Sequence, residues 1–144
     1  IITNSTFSVY SLRENQNDEI MQLELHAQSS AEGFFQIYID NGKGYSESRS
    51  IEVPIINTQS ADHYKFPIAL EKIQRLRIDP PNEPSKTIIY SIELTENGQP
   101  IEAFQAQDLQ PSHQARIESN ATFPVKITST GNDPRLELSI RPSD

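Results

Sequence analysis

Phe34-Phe35-Gln36-Ile37-Tyr38-Ile39-Asp40-Asn41-Gly42-Lys43-Gly44-Tyr45-Ser46-Glu47, resuming at Ile51-Glu52-Val53-Pro54, is the stretch that decides the fold. Phe35, Ile37 and Ile39 alternate with polar or aromatic neighbours as far as Asp40. A turn rich in Asn and Gly then interrupts the pattern, and alternation resumes. Side chains of a strand point to opposite faces with a period of two, so this is the spelling of two half-buried antiparallel strands joined as a hairpin. A second unit repeats the idiom: Arg75-Leu76-Arg77-Ile78-Asp79-Pro80-Pro81-Asn82, running on to Ile88-Ile89-Tyr90-Ser91-Ile92-Glu93-Leu94.

Outward from these two units, further short alternating runs cover the chain. Strands are predicted at residues 7–12, 21–27, 34–40, 50–55, 64–68, 74–79, 87–94, 122–129 and 135–140. Turn-forming residues separate them at 15–18, 41–44, 80–84, 97–100 and 131–134. Many short strands at close spacing predict an all-β fold, an antiparallel two-sheet β-sandwich of jelly-roll-like character, formed by residues 1–144 as a single domain. One face of each strand would be buried. These faces are Met21, Leu23, Leu25 and Ala27; Phe35, Ile37 and Ile39; Ile88, Tyr90, Ile92 and Leu94; Phe123, Val125 and Ile127; and Leu136, Leu138 and Ile140. Pro54, Pro67 and Pro124 lack an N–H for the ladder and belong at edges, strand ends or bulges. Loosely spaced Ile101, Ala103, Phe104 and Leu109 suggest a short helix over 101–109, and the polar run 105–120 reads as a long connection.

Composition narrows the function. The chain has 144 residues and a net charge of −8. That charge argues against phosphate-backbone binding, which needs clustered Lys and Arg, so no nucleic-acid partner is expected. No apolar run approaches the roughly 20 residues that cross a bilayer, so this segment is not expected to insert directly into a membrane. Cysteine is absent, which removes disulfides, thiolate ligands and thiol nucleophiles. The chain begins at Ile1 without a charged-then-apolar leader, and the expectation drawn from this is a domain excised from a larger protein.

The residues offer little reaction chemistry. His26, His63 and His113 lack metal-ligand spacing, and no nucleophile elbow occurs. Asn41-Gly42-Lys43-Gly44 has neither the spacing nor the following helix of a phosphate loop and reads as a turn. Asp79, Asn82 and Glu83 place three oxygen-bearing side chains within one turn, the hard-ligand chemistry of Ca²⁺; the competing reading has Asp79 capping its own turn. A saccharide site needs aromatic faces beside planar polar groups. Phe34, Tyr38 and Asp40 on one outward face, Tyr45 and Tyr64 in or near loops, and Arg75 and Arg77 on one strand form the one constellation of that kind, with Tyr38, Asp40, Tyr45, Arg75 and Arg77 as the site candidates. In this reading Tyr38 and Tyr45 stack on sugar rings, while Asp40, Arg75 and Arg77 hydrogen-bond hydroxyls or an acidic sugar. The alternative is a mixed solvent face, or a face that docks a partner domain.

The segment Phe35-Gln36-Ile37-Tyr38-Ile39-Asp40 with Gly42, Gly44, Tyr45 and Ser46 resembles one found in β-sandwich domains of bacterial cell-surface polysaccharide proteins. Tyr64-Lys65-Phe66-Pro67-Ile68, Ile73-Gln74-Arg75-Leu76-Arg77-Ile78-Asp79-Pro80, Ser91-Ile92-Glu93-Leu94 and Thr130-Gly131-Asn132-Asp133-Pro134-Arg135-Leu136-Glu137-Leu138 are similar to the rest of that pattern. Such domains accompany glycosyltransferases and multi-spanning membrane proteins of surface-glycan assembly, and they resemble galactose-binding-like jelly rolls and carbohydrate-binding modules. The resemblance implies a non-catalytic accessory domain that binds or positions a saccharide on the extracytoplasmic face of a bacterial membrane protein. It supplies no catalytic residue and no cofactor. Two other readings stay open: a module that docks on its parent-protein domain or an oligomer partner with no ligand of its own, and a fragment of a carbohydrate-active enzyme.

Overall fold

The computed structural model describes residues 21–68 and 73–140. The strand expected at 7–12 and the turn at 15–18 lie outside the described residues. Among the described residues, eleven antiparallel strands form two sheets packed face to face: β1 (Met21–Ser29), β2 (Phe34–Asp40), β3 (Ser50–Pro54), β4 (Asp62–Ile68), β5 (Arg75–Asp79), β6 (Ser85–Glu96), β7 (Gln99–Ala103), β8 (Leu109–His113), β9 (Ala115–Ile117), β10 (Val125–Ser129) and β11 (Arg135–Leu138). The first sheet runs β4-β1-β6-β10-β9, with β7 also paired to β6; the second runs β3-β2-β5-β11-β8. The all-β two-sheet sandwich expected from the alternation is therefore the fold. The chain passes back and forth between the sheets, so neighbours within each sheet come from distant parts of the sequence.

The core is where the inward faces meet. Leu23, Leu25, Phe35, Ile37, Leu76, Ile78, Val125 and Leu136 are all fully buried. Burying each such side chain contributes about 1.5–3 kcal/mol. Phe35 and Tyr64 meet edge to face across the two sheets at 5.0 Å, and the Tyr64 hydroxyl accepts the Ile56 N–H at 3.2 Å. The prolines sit where a missing N–H is tolerated. Pro54 ends edge strand β3, Pro67 lies on edge strand β4, and Pro124 precedes β10. Among the described residues no helix is long and apolar enough to cross a membrane.

Three sequence readings are corrected. The alternation of β6 is broken by a bulge: His26 pairs with Ser91 but Ala27 pairs with Ile89, so Tyr90 is the extra residue. Thr87 and Ile89 then face inward before the bulge and Ile92 after it, leaving Tyr90 exposed and Ile88 partly so. The helix expected at 101–109 does not form. Asn97 and Gly98, with φ of 52° and 82°, make a two-residue hairpin that hands the chain straight from β6 to β7. A single 3₁₀ turn, Ala106–Asp108, follows, with Phe104 and Ala106 dropping into the core. Finally, the connection expected at 105–120 contains β8 and β9, each at one edge of its sheet. In β8 only Leu109 is buried, so no alternation marked the strand.

Candidate binding groove

The second sheet carries a polar outer face, and its register brings the outward residues into rows. Tyr38 lies opposite Arg77, Asp40 opposite Arg75, and Gln36 opposite Asp79; on the other side of β5, Arg77 lies opposite Glu137. Tyr45 folds back over this face from the β2–β3 loop. The five site candidates, Tyr38, Asp40, Tyr45, Arg75 and Arg77, therefore meet in one cluster, whereas Tyr64, expected in or near a loop, is buried in the core from β4.

They meet chiefly by binding one another. The Arg77 guanidinium lies 3.9 Å from the Tyr38 ring centroid and 5.2 Å from that of Tyr45. Its Nε and Nη2 donate to the two carboxylate oxygens of Asp79 at 2.8 and 2.9 Å. Arg75 lies 4.6 Å from the Tyr45 ring and donates through Nε to Asp40 Oδ2 at 2.7 Å. The result is a ladder of alternating guanidinium and phenol, each cation held over the face of a ring quadrupole. The phenols are tied at their tips. Tyr45 donates to Glu137, 2.9 Å from both oxygens, and Tyr38 donates to Glu47 Oε2.

Each commitment shows in the acid–base behaviour. Asp40 Oδ1 accepts the N–H groups of Gly42 and Gly44, both at 2.8 Å, which organises the loop bearing Tyr45. Those bonds, the Gly42 bond foremost, and the Arg75 contact hold the Asp40 carboxyl below the usual carboxylate range. The loop demands glycine at 42, where φ is +113°. Burial, reinforced by the bond to Glu47, pushes the Tyr38 phenol up to about 12. Burial and the bond to Glu137 likewise raise Tyr45. At Asp79 burial outweighs the salt bridge, so its carboxyl sits above the ordinary value despite Arg77. Arg135 pairs with Asp133 through bonds of 3.1 and 2.7 Å, and that pairing lowers the Asp133 carboxyl.

Over this array lies a groove of about 850 Å³. Gln36, Tyr38 and Arg77 are part of its lining, the loops at 80–84 and 132–135 line it further, and Glu47 and Phe34 border it. Asp79, Asn82 and Glu83 all line the same groove. Both Asp79 oxygens are bonded to Arg77, while Asn82 and Glu83 are exposed. Among the described residues no group of three or more His, Cys, Asp or Glu is placed to hold a metal ion.

Sequence reasoning missed several contributors. Glu47 sits in a 3₁₀ turn, Glu47–Arg49, and carried no alternation signal. Glu137 could be placed on an outward face, but nothing in the sequence put β11 beside β5. His26 and His63, which seemed unrelated, lie opposite one another on β1 and β4 with rings stacked at 4.2 Å, on the outer face of the first sheet. His113 bonds the Asp133 backbone oxygen at 2.8 Å.

Comparison of the chain with protein-family models, with curated proteins and with solved structures finds no match.

Proposed function

We propose that this chain is a non-catalytic accessory domain that binds or positions a saccharide in the groove of its second sheet, and that it serves a bacterial surface-glycan assembly protein. The observation that carries this reading is the pre-set array of planar polar groups and aromatic rings along one groove. Sugar hydroxyls are recognised by paired, planar donors and acceptors, and sugar C–H faces by aromatic rings. Because Arg77, Tyr38 and Tyr45 are already fixed by one another, little side-chain freedom would be lost on binding. Tyr38, Tyr45 and Arg77 act chiefly as a rigid floor, while Asp40 and Arg75, outside the lining, brace the loop that carries Tyr45. The surfaces that meet a ligand are Gln36, Glu47, Phe34 and the open edges of Tyr38 and Arg77.

The commitments of three of the groove's acids support the non-catalytic part of the proposal. Asp79 and Asp133 are bound bidentately by Arg77 and Arg135, and Glu47 accepts from Tyr38 and Gln36. None of these stands ready as one half of an acid–base pair.

The test is a glycan-array screen of the purified chain, with and without Ca²⁺, followed by calorimetry on any hit with Gln36→Ala. Reproducible hits that weaken in the variant would support the groove. A blank array would refute saccharide binding and favour a module that docks on its parent protein.

A further inference from the structure

Two features of the groove identify the class of saccharide it takes, an inference that rests on the saccharide-binding reading above. The first is its charge. Among the described residues, Glu32, Glu47, Glu52, Asp79, Glu83 and Asp133 line it against only Arg77 and Arg135. Both arginines are already neutralised, by Asp79 and Asp133 respectively. Glu32, Glu47, Glu52 and Glu83 are exposed, and none forms a salt bridge among the described residues. Among the described residues the groove therefore has surplus negative charge and no free cation, the reverse of a site for an acidic sugar.

The second feature is Phe34. It is 48 % exposed and lies on the outward face of β2. A second hollow of about 490 Å³, lined by residues 55–58, begins where the groove ends, and Glu32, Gly33 and Phe34 border both. An extended chain running from one hollow into the other crosses the Phe34 ring. Glu52 lies opposite Gln36 and Phe34 opposite Pro54, so Phe34 and Glu52 are diagonal neighbours on the same face. Beside them the floor offers one unused donor. Arg77 is only 7 % exposed and spends Nε and Nη2 on Asp79, while its Nη1 has no hydrogen-bond partner among the described residues.

We propose that the groove binds an extended polyhydroxylated chain bearing free ammonium groups, an oligosaccharide of amino sugars whose amines are not acylated. Phe34 supplies the stacking and cation–π face. Glu52 and Glu32 supply the counter-charge, and Arg77 Nη1 donates to a hydroxyl or ring oxygen. Acylating the amine removes the charge the carboxylates select for. Adding a carboxylate to the sugar brings like charges together.

The experiment is calorimetry of the whole chain with three oligosaccharides of equal length: a glucosamine oligomer, its N-acetylated form and an oligogalacturonate. It is run near pH 6 at about 0.02 M and about 0.3 M salt. The glucosamine oligomer should bind at least about tenfold more tightly than the acetylated one, weaken in high salt, and lose about tenfold in Glu52→Gln and in Phe34→Ala. Both substituted residues are exposed, and circular dichroism confirms that the variants fold. Equal binding of the amine and acetyl forms overturns this inference but leaves the saccharide-binding reading standing. Preference for the oligogalacturonate, or binding of the amine form that neither variant alters by more than about twofold, overturns it as well. Binding of none of the three overturns it too, and the array alone then decides the broader reading.

Discussion

Replacing Arg77 by Met tests whether the floor of the groove is held by a buried ion pair or only by packing. The methionine keeps an unbranched stem against the Tyr38 ring while removing the two charge-assisted bonds to Asp79 and the cation–π contact at 3.9 Å. The Asp79 side chain is only 14 % exposed and would be left as an uncompensated carboxylate. Breaking a buried pair from one side costs about 3–5 kcal/mol, and the outer-face position of this pair sets the lower end, about 3 kcal/mol. For a chain of this length that lowers Tm by about 10 °C. Urea unfolding followed by tyrosine fluorescence is the natural assay, because the protein has no Trp. The loss should depend on pH. The folded-state Asp79 carboxyl titrates above its unfolded value, so the folded protein binds the extra proton in that window and stability falls as pH rises through it. Removing Arg77 extends the window upward, so the penalty should be largest near pH 7 and shrink near pH 4. Adding Asp79→Asn to the Met variant should recover about half of the loss. A loss under about 1 kcal/mol at pH 7, or one unchanged between the two pH values, would refute the buried-pair argument.

Other expectations concern the fold and its loops. Phenolate absorbance should show Tyr38 resisting ionisation until about pH 12, with stability falling as pH rises above the ordinary phenol range; a simple titration of every tyrosine near its ordinary value would contradict this. Gly42→Ala, at φ +113°, should cost about 1–3 kcal/mol in denaturant unfolding and release the Asp40 turn, whereas an unchanged midpoint would show that the loop has another conformation. Phe35→Ala should cost about 3–5 kcal/mol, since the ring is fully buried and packs against Tyr64; a value near 1 would mean that the sheets close over the space. Ser85→Ala removes a hydroxyl bonded to Pro81 O at 2.8 Å and Ser129 Oγ at 2.9 Å, and should cost about 1–2 kcal/mol by the same assay.

The parts of this protein that were legible in its sequence are those governed by short-range physics. Leu23, Leu25, Phe35, Ile37, Leu136 and Leu138 announced their inward faces because a pleated strand must alternate. The outward set Tyr38, Asp40, Arg75 and Arg77 could be grouped for the same reason. Alternation fails, though, wherever one residue is inserted, and Tyr90 at the β6 bulge reversed half a strand that had looked regular. It is equally silent on edge strands such as β8, where a single sheet neighbour leaves most side chains in water whichever way they point. Which strands lie side by side was the larger gap. The meeting of Arg77 with Glu137, or of His26 with His63, depends on long-range pairing that no local pattern encodes.

That long-range pairing bears on when the groove comes into existence. Its floor spans β2, β5 and β11, and its lining reaches from Ala31 to Arg135. Closing such loops carries an entropic cost that must be met before the contacts return anything, which makes these among the slower events of folding. A nascent chain or a clipped fragment that lacks β11 presents neither the Glu137 anchor of Tyr45 nor the Asp133–Arg135 wall. Any recognition at the groove would thus report completed folding: a partner selective for it would engage only finished molecules. At a hundredfold excess over its Kd such a partner would deepen the native basin by about 2.7 kcal/mol.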